Sequence, residues 1–464
     1  VDLKASQHNA LGEQVLQLDG ISGFTQEWGF SVENMNPEDF EKFLKDFMAG
    51  KGGDAAELAA AAGLPNDPNL IAKMVEQLQT ALGQADNADG SVNWKLATDQ
   101  ARTIAREGAH AIDERTRKAI RDALSIGSLW LDEVTSISAL TTEPKLLTRE
   151  LWVADAMPLF EALSAPVANR MSEALAQNLK DNAPEELSAI LGNAAGLMRS
   201  AGGALFAMQL GQALGKLSAE VLTGGDIGLP IFHDQRAAFV PQNLEIFVNG
   251  LEIETDQAYI YLGVRELAHT RLFKHSKWLR DSIVSQVANY AAGITIDNER
   301  ITEIADDFNP TNTDELKRAL ETGAFIAARS DEQQMALDRI ETMLALIEGW
   351  VEVITEDATK LLPKASSISE AIRRRRATGG PAEQTFGTIV GLELRPRRSR
   401  EAAEMWRRIG AAVGHEKRDQ LWDHPDLLPT SDDIADPSKL IAKLSGNTSQ
   451  ADDFDQALRD LLGD

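Results

Sequence analysis

The sequence predicts a mainly α fold with at most a few short strands. Three observations carry that prediction. Apolar residues recur at helical spacing, most cleanly at Leu337, Ile340, Leu344, Ile347, Val351 and Ile354. Helix-start signals precede such stripes: Ser330 and Gln333 have the spacing of a reciprocal capping box, and Asp256 opens a second run. Alternating β-branched runs, the mark of half-buried strands, are scarce. At 464 residues the chain exceeds what one hydrophobic core usually takes, so two or three structural units are expected.

Residues 1–90 read as a loosely structured acidic N-terminal region. Short apolar pieces alternate there with turn-forming runs such as Gly50-Lys51-Gly52-Gly53-Asp54 and Pro65-Asn66-Asp67-Pro68, and Asn69 to Leu82 reads as a helix. A helical domain is expected over 91–430, its compact part beginning at Val92-Asn93-Trp94. A long charge-laced helix is expected from Thr98 to Ser125. A short piece follows over Glu133 to Ile137, then a Thr-rich break, then helix from Thr148 to Leu179. The region from Glu185 to Glu220 is rich in small residues, and glycines such as Gly211 and Gly215 would let helices approach closely. Thr223-Gly224-Gly225-Asp226 closes it. The helix from Asp256 carries Glu266 and His269, and the one from Ser330 runs to near Pro363. Residues 431–464 read as an acidic tail with a short helix from about Asp452 to Leu462.

With 43% hydrophobic and 25% charged residues, the composition is that of an ordinary globular protein. The absence of cysteine excludes disulfides and thiolate metal sites and fits a reducing compartment. The first residues lack a signal peptide's basic-then-apolar pattern, so a cytoplasmic location is expected. The most apolar stretch, Ala189 to Gly215, is interrupted by Asn193, Arg199, Gln209 and Gln212. A bilayer span needs roughly 20 nearly unbroken apolar residues, so no membrane span is expected. A net charge of −26 argues against nucleic acid as a partner, because binding phosphate needs an excess of Lys and Arg. Residues 366–425 reverse the sign and are expected to pack against acidic parts of the same fold. No phosphate-binding loop, dinucleotide fingerprint or Ser-His-Asp arrangement is legible.

The segment Arg265-Glu266-Leu267-Ala268-His269 stands one residue from H-E-x-x-H. In that motif two histidines one helical turn apart hold Zn²⁺, and the glutamate activates the bound water. Here Glu266 and His269 are in place, and Arg265 stands where the first ligand would be. Leu262, Leu272 and Phe273 flank this face and turn it toward the core. The three motif residues are therefore expected to be partly buried, which demands partners for the charges. A salt-bridged core helix satisfies the same pattern without any metal.

Longer motifs surround this one. They include Val92-Asn93-Trp94, Asp226-Ile227-Gly228-Leu229-Pro230, the stretch Tyr261 to Phe273, and Trp278-Leu279-Arg280. Leu346-Ile347-Glu348-Gly349-Trp350, Arg373 to Glu383, Gly391 to Arg398 and Trp422 to Pro429 complete the set. By these motifs the chain resembles, from about Val92 to Asp436, the zincin-like metallopeptidase family of actinobacteria and some other bacteria. Its members are described as hydrolases or linked to coenzyme F420 biosynthesis. The resemblance implies a zincin-like helical fold, zinc as cofactor, and peptide or amide hydrolysis. It further implies Glu266 as the general base and His269 and Glu348 as metal ligands. Arg265 departs from the family pattern at the first ligand, and Trp350 at the histidine of a later E-G-H motif. Two protein ligands seldom make a tight zinc site, so the resemblance implies a weak or inactive enzyme. The alternative is a non-catalytic scaffold that binds a protein or peptide. Arg265 is then expected to bond Glu348 or Glu266 and balance their charge without a metal.

Other candidates are weaker. His424 and His275 could replace a missing ligand, although His424-Pro425 reads more simply as a loop anchor; His233-Asp234 is a similar pair. The run Arg373, Arg374, Arg375 and Arg376 would attract an anion or an acidic partner. It also reads as positive charge at a helix C-terminus, stopped by Gly379 and Gly380.

Overall fold

A computed structural model describes residues 92–181, 203–204, 206–234, 236–251, 253–295, 297, 327–377 and 398–446. The expected N-terminal region, the helix at Asn69–Leu82 and the terminal helix near Asp452 lie outside the described residues. Among the described residues the fold is mainly α.

Asn93 caps the first helix, α1 (Trp94–Ala105), by accepting from the Leu96 N–H at 2.9 Å. The single long helix expected from Thr98 to Ser125 is instead two. The chain leaves α1 at Arg106, Gly108 takes a left-handed φ of 65°, and Asp113 caps α2 (Glu114–Asp132). Glycine adopts that conformation without penalty, and the Asp113 cap nucleates the new axis. A two-residue strand β1 (Lys145–Leu146) then precedes α3 (Arg149–Asp181).

Within α3, Arg149–Ala174 is long and apolar enough to cross a bilayer by length and composition. Trp152, Val153, Leu159, Phe160 and Leu163 are nevertheless buried inside the protein, where α3 packs on α1. A helix over 206–218 (α4) also lies against α1. A Cβ on Gly211 would fall 2.7 Å from the Ala97 carbonyl oxygen, and one on Gly215 would fall 2.7 Å from Ile104 Cβ. The small residues therefore do set a close helix contact.

Strand β2 (Ala238–Phe239) pairs in parallel with β1, Lys145 opposite Ala238. The segment Leu222 to Gly224 adds an antiparallel edge, with Gly224 N–H donating to Ala238 and Val240 N–H to Leu222. After α5 (Pro241–Asn249) comes α6 (Thr255–His275), buried from Tyr261 to Phe273 apart from Arg265. Its cap is Glu254 rather than the expected Asp256. Fully buried Arg271 ties α6 to the end of α2 through Asp132 and Ser128.

Helix α7 (Trp278–Ala292) leads toward α8 (Asp331–Ala358). The Ser330–Gln333 capping box forms as expected, and every residue of the Leu337-to-Ile354 stripe is buried. Helix α9 (Ala365–Ala377) follows, and α10 (Ser399–Asp419) is kinked where Gly414 takes φ 83°. Helix α8 packs on α6, α7 and α10. At the α10 crossing a Cβ on Gly349 would lie 2.6 Å from Ala403 N. Past residue 430, the helices Ser431–Ala435 and Ser438–Leu444 return to α10 through Arg398–Ser431 and Arg408–Ser438 hydrogen bonds.

Candidate functional site

Helix α6 carries Arg265, Glu266 and His269, α8 carries Glu348, and the loop from Leu222 to Gly228 covers them. Positions 265 and 269 are one turn apart and share a face; position 266 is rotated toward the small sheet. That rotation decides what each side chain meets.

Glu266 is buried and serves the sheet. Its Oε2 accepts from the Gly225 N–H and its Oε1 from the Ala238 N–H, both at 3.0 Å. Burial pushes its carboxyl up to about 7, against the pull of the Ala238, Thr223 and Gly225 donors. His269 is buried with its ring tilted onto Phe273, centroids 4.9 Å apart. The Gly225 backbone presses on the imidazole so closely that a Cβ there would collide with Nδ1.

Arg265 Nη2 donates to Glu348 Oε2 at 2.5 Å. The two side chains are only 15% and 6% exposed, so water screens this pair little. Of the two expected acceptors, Arg265 bonds Glu348, and Glu266 is engaged with backbone amides. Arg375 closes the far side of the cleft. Its guanidinium meets Asp226 at 2.8 Å and the Glu220 carbonyl oxygen at 2.5 Å. Among Leu222, Gly225, Arg265, Glu266, His269 and Arg375 there remains a cavity of about 20 Å³, room for roughly one water molecule.

Trp350 does not line this cleft. Its indole N–H donates to Asp419 Oδ1 at 3.0 Å, and its ring meets Trp422 edge-on while Trp406 stacks on Trp422. Asp419 also accepts from Thr135, Ser136 N–H and Arg418. The arginine run faces carboxylates of the same chain: Arg373 bonds Glu352 and Glu356, Arg374 bonds Glu370, and Arg375 bonds Asp226. The Arg376 side chain lies outside the described residues. His275 bonds Asp423, His424 accepts from the Asp426 N–H, and His233 is exposed; none lines the cleft.

The donor set can be weighed against zinc directly. Catalytic zinc takes three protein ligands with available lone pairs. Arg265 has none to offer, and its guanidinium is bonded to the Glu348 carboxylate. Among the described residues no three His, Asp or Glu side chains form a group that could hold a metal ion. The residues present do not fit zinc. In the covering loop, Gly225 N–H donates to Glu266 and Asp226 accepts from Arg375, contacts that no sequence motif marks. The Gly224-Gly225 pair was the available signal, since paired glycines permit backbone to approach a side chain.

This arrangement of buried R-E-x-x-H helix and crossing glutamate helix sits inside a match to a known family. The family model for zincin-like metallopeptidases matches residues 92–441. The chain belongs to the zincin-like metallopeptidase family. Among solved structures it is similar to a candidate hydrolase with a novel fold from Chloroflexus aurantiacus. That likeness has a TM-score of 0.53 and 18% identity, and covers 76% of this chain and 98% of the other. At that identity the likeness concerns the fold. No curated protein matches the chain.

Proposed function

We propose that this chain is a metal-free member of its family that binds a protein or peptide and does not hydrolyse it. The observation that supports this reading is the Arg265–Glu348 ion pair. A fixed cation takes the carboxylate a metal would need, and it brings no lone pair of its own. Glu266 points the same way: both its oxygens accept backbone N–H groups, so it anchors the sheet edge to α6. A cavity the size of one water leaves no space for a peptide at this point. On this reading the chain belongs to a branch of the family with R-E-x-x-H, acts in the cytoplasm, and meets its partner on a surface outside the cleft.

One observation favours hydrolysis as a second reading. Glu266, held at about 7, lies beside the water-sized cavity, where a carboxylate of that strength would accept a proton from water at neutral pH.

The deciding experiment is metal analysis of tag-free protein equilibrated with zinc and then freed of excess ion. We expect no retained zinc. Stoichiometric zinc that disappears in His269→Ala would overturn the metal-free reading. Peptide turnover that is metal-independent and lost in Glu266→Gln would establish the second.

A further inference from the structure

We propose that Arg149, where helices α3 and α5 begin side by side, anchors a phosphate-binding site. Its ligand is a phosphate dianion, either free or carried as a monoester on a larger molecule. Arg149 does not line the cleft, and nothing in this proposal depends on whether the cleft holds metal.

Burial without a counter-charge sets Arg149 apart. Among the described residues three arginines are buried: Arg149, Arg271 and Arg418. Burying a guanidinium is costly unless a counter-charge meets it. Arg271 meets Asp132, and Arg418 meets Asp419. Among the described residues no carboxylate pairs with Arg149; its Nε donates to the neutral amide oxygen of Asn243 at 2.7 Å. The Asn243 amide nitrogen donates to the Ser218 and Val221 carbonyl oxygens, which holds its oxygen toward the arginine. Burial accordingly lowers the pKa of this guanidinium. Its two terminal nitrogens bond no described residue and are not sealed from solvent, so a dissolved anion can reach them.

The position of this cation supplies the second argument. Strands β1 and β2 are parallel, and each leads within a few residues into a helix. Arg149 is the first residue of α3, and Asn243 lies in the first turn of α5. Their bond therefore brings two helix N-termini together at one guanidinium. A helix N-terminus carries about +0.5 of an elementary charge and disfavours a cation. Two N-termini and one guanidinium sum to about +2, the complement of a phosphate dianion. Phosphate can accept both from first-turn amide N–H groups and from the planar guanidinium fork. Thr148 caps α3 by accepting from the Leu151 N–H, whereas no side chain caps α5. The neighbouring acids are engaged elsewhere: Glu150 with Arg102 and Arg106, and Glu245 with Thr116.

The test titrates full-length protein with inorganic phosphate above neutral pH and at constant ionic strength. Calorimetry and melting temperature are the readouts, acetate and chloride the controls, and phenyl phosphate the monoester. We expect saturable binding of one phosphate per chain, and a melting temperature that rises with phosphate but not with acetate or chloride. Arg149→Gln should weaken binding about tenfold or more, the worth of a charge-assisted hydrogen bond. Arg149→Lys should weaken it less, because the charge remains while the fork is lost. Phenyl phosphate binding as tightly as phosphate supports a monoester as the source, and its exclusion supports the free ion. Absence of saturable phosphate binding to the unsubstituted protein overturns the inference, whatever the variants do. So does acetate binding as tightly as phosphate, or unchanged phosphate affinity in a folded Arg149→Gln protein. If that variant fails to fold, unchanged affinity in Arg149→Lys overturns it equally.

Discussion

Glu348 and Trp350 stand two residues apart on α8 and open onto two different buried polar networks. On one side, Asp419 gathers the Trp350 indole, Thr135, the Ser136 amide and Arg418, packed among three tryptophans. On the other, Glu348 meets Arg265 beside a cavity that holds about one water. The first network is built from many donors converging on one carboxylate and welds α8, α10 and the segment after α2 together. The second balances one cation against one carboxylate under a loop whose edge rests on Glu266. A carboxylate in the first position ties three segments together; the one in the second answers a single cation at the edge of a cleft.

The sharpest way to break this contrast is Asp419→Ala. Leaving buried Arg418 without its carboxylate should cost about 3–5 kcal/mol, read from urea unfolding. Less than about 1 kcal/mol would show that the tryptophans alone hold the region. On the cleft side, Arg265→Met should cost about 3 kcal/mol, and adding Glu348→Met should restore much of it, because replacing both members of a buried pair is far milder than orphaning one. Additive losses would contradict the pairing.

The third comparison uses pH. The folded-state pKa of Glu266 is raised from 4.5 to about 7, so its stabilising contribution is complete below pH 4.5 and is lost as pH rises through 7. That difference corresponds to roughly 3 kcal/mol. The unfolding free energy of the unsubstituted protein should therefore fall relative to Glu266→Gln between pH 4.5 and 8; a constant gap would refute it. The smallest effect is expected from Gly225→Ala, about 1–3 kcal/mol from overpacking against the imidazole. His269→Ala should relieve it in a double-mutant cycle.

Much of the scaffold could be read from residue patterns. The capping box and stripe of α8 appear where the pattern placed them, although the helix stops at Ala358, before Pro363. The break between α1 and α2 was not legible, because charged residues run through it with helical spacing. It depends on the left-handed Gly108 and the Asp113 cap, local signals that the helical spacing of the flanking residues masks. At the site, Arg265, Glu266 and His269 stand out by their nearness to H-E-x-x-H, while Glu348, on another helix, is picked out only through the resemblance. The resemblance sets Trp350 beside Arg265 as a second departure, in a later E-G-H motif. Two residues along a helix turn the side chain by about 200°, and the structure accordingly sends Trp350 to Asp419 and Glu348 to Arg265. The arginine run stood out by charge density, yet its partners lie as far away in sequence as Asp226 and could not be read locally.

Gly349 separates these two residues, and the backbone of α10 rests almost directly on it. At that crossing Gly349 meets the α10 backbone and only the methyl of Ala402, so the gap between the helices is set almost entirely by main chain. Such a contact has no rotamers to adjust and little compressibility. The separation of α8 and α10, across which Trp350 reaches Asp419, is therefore fixed by main chain next to that hydrogen bond.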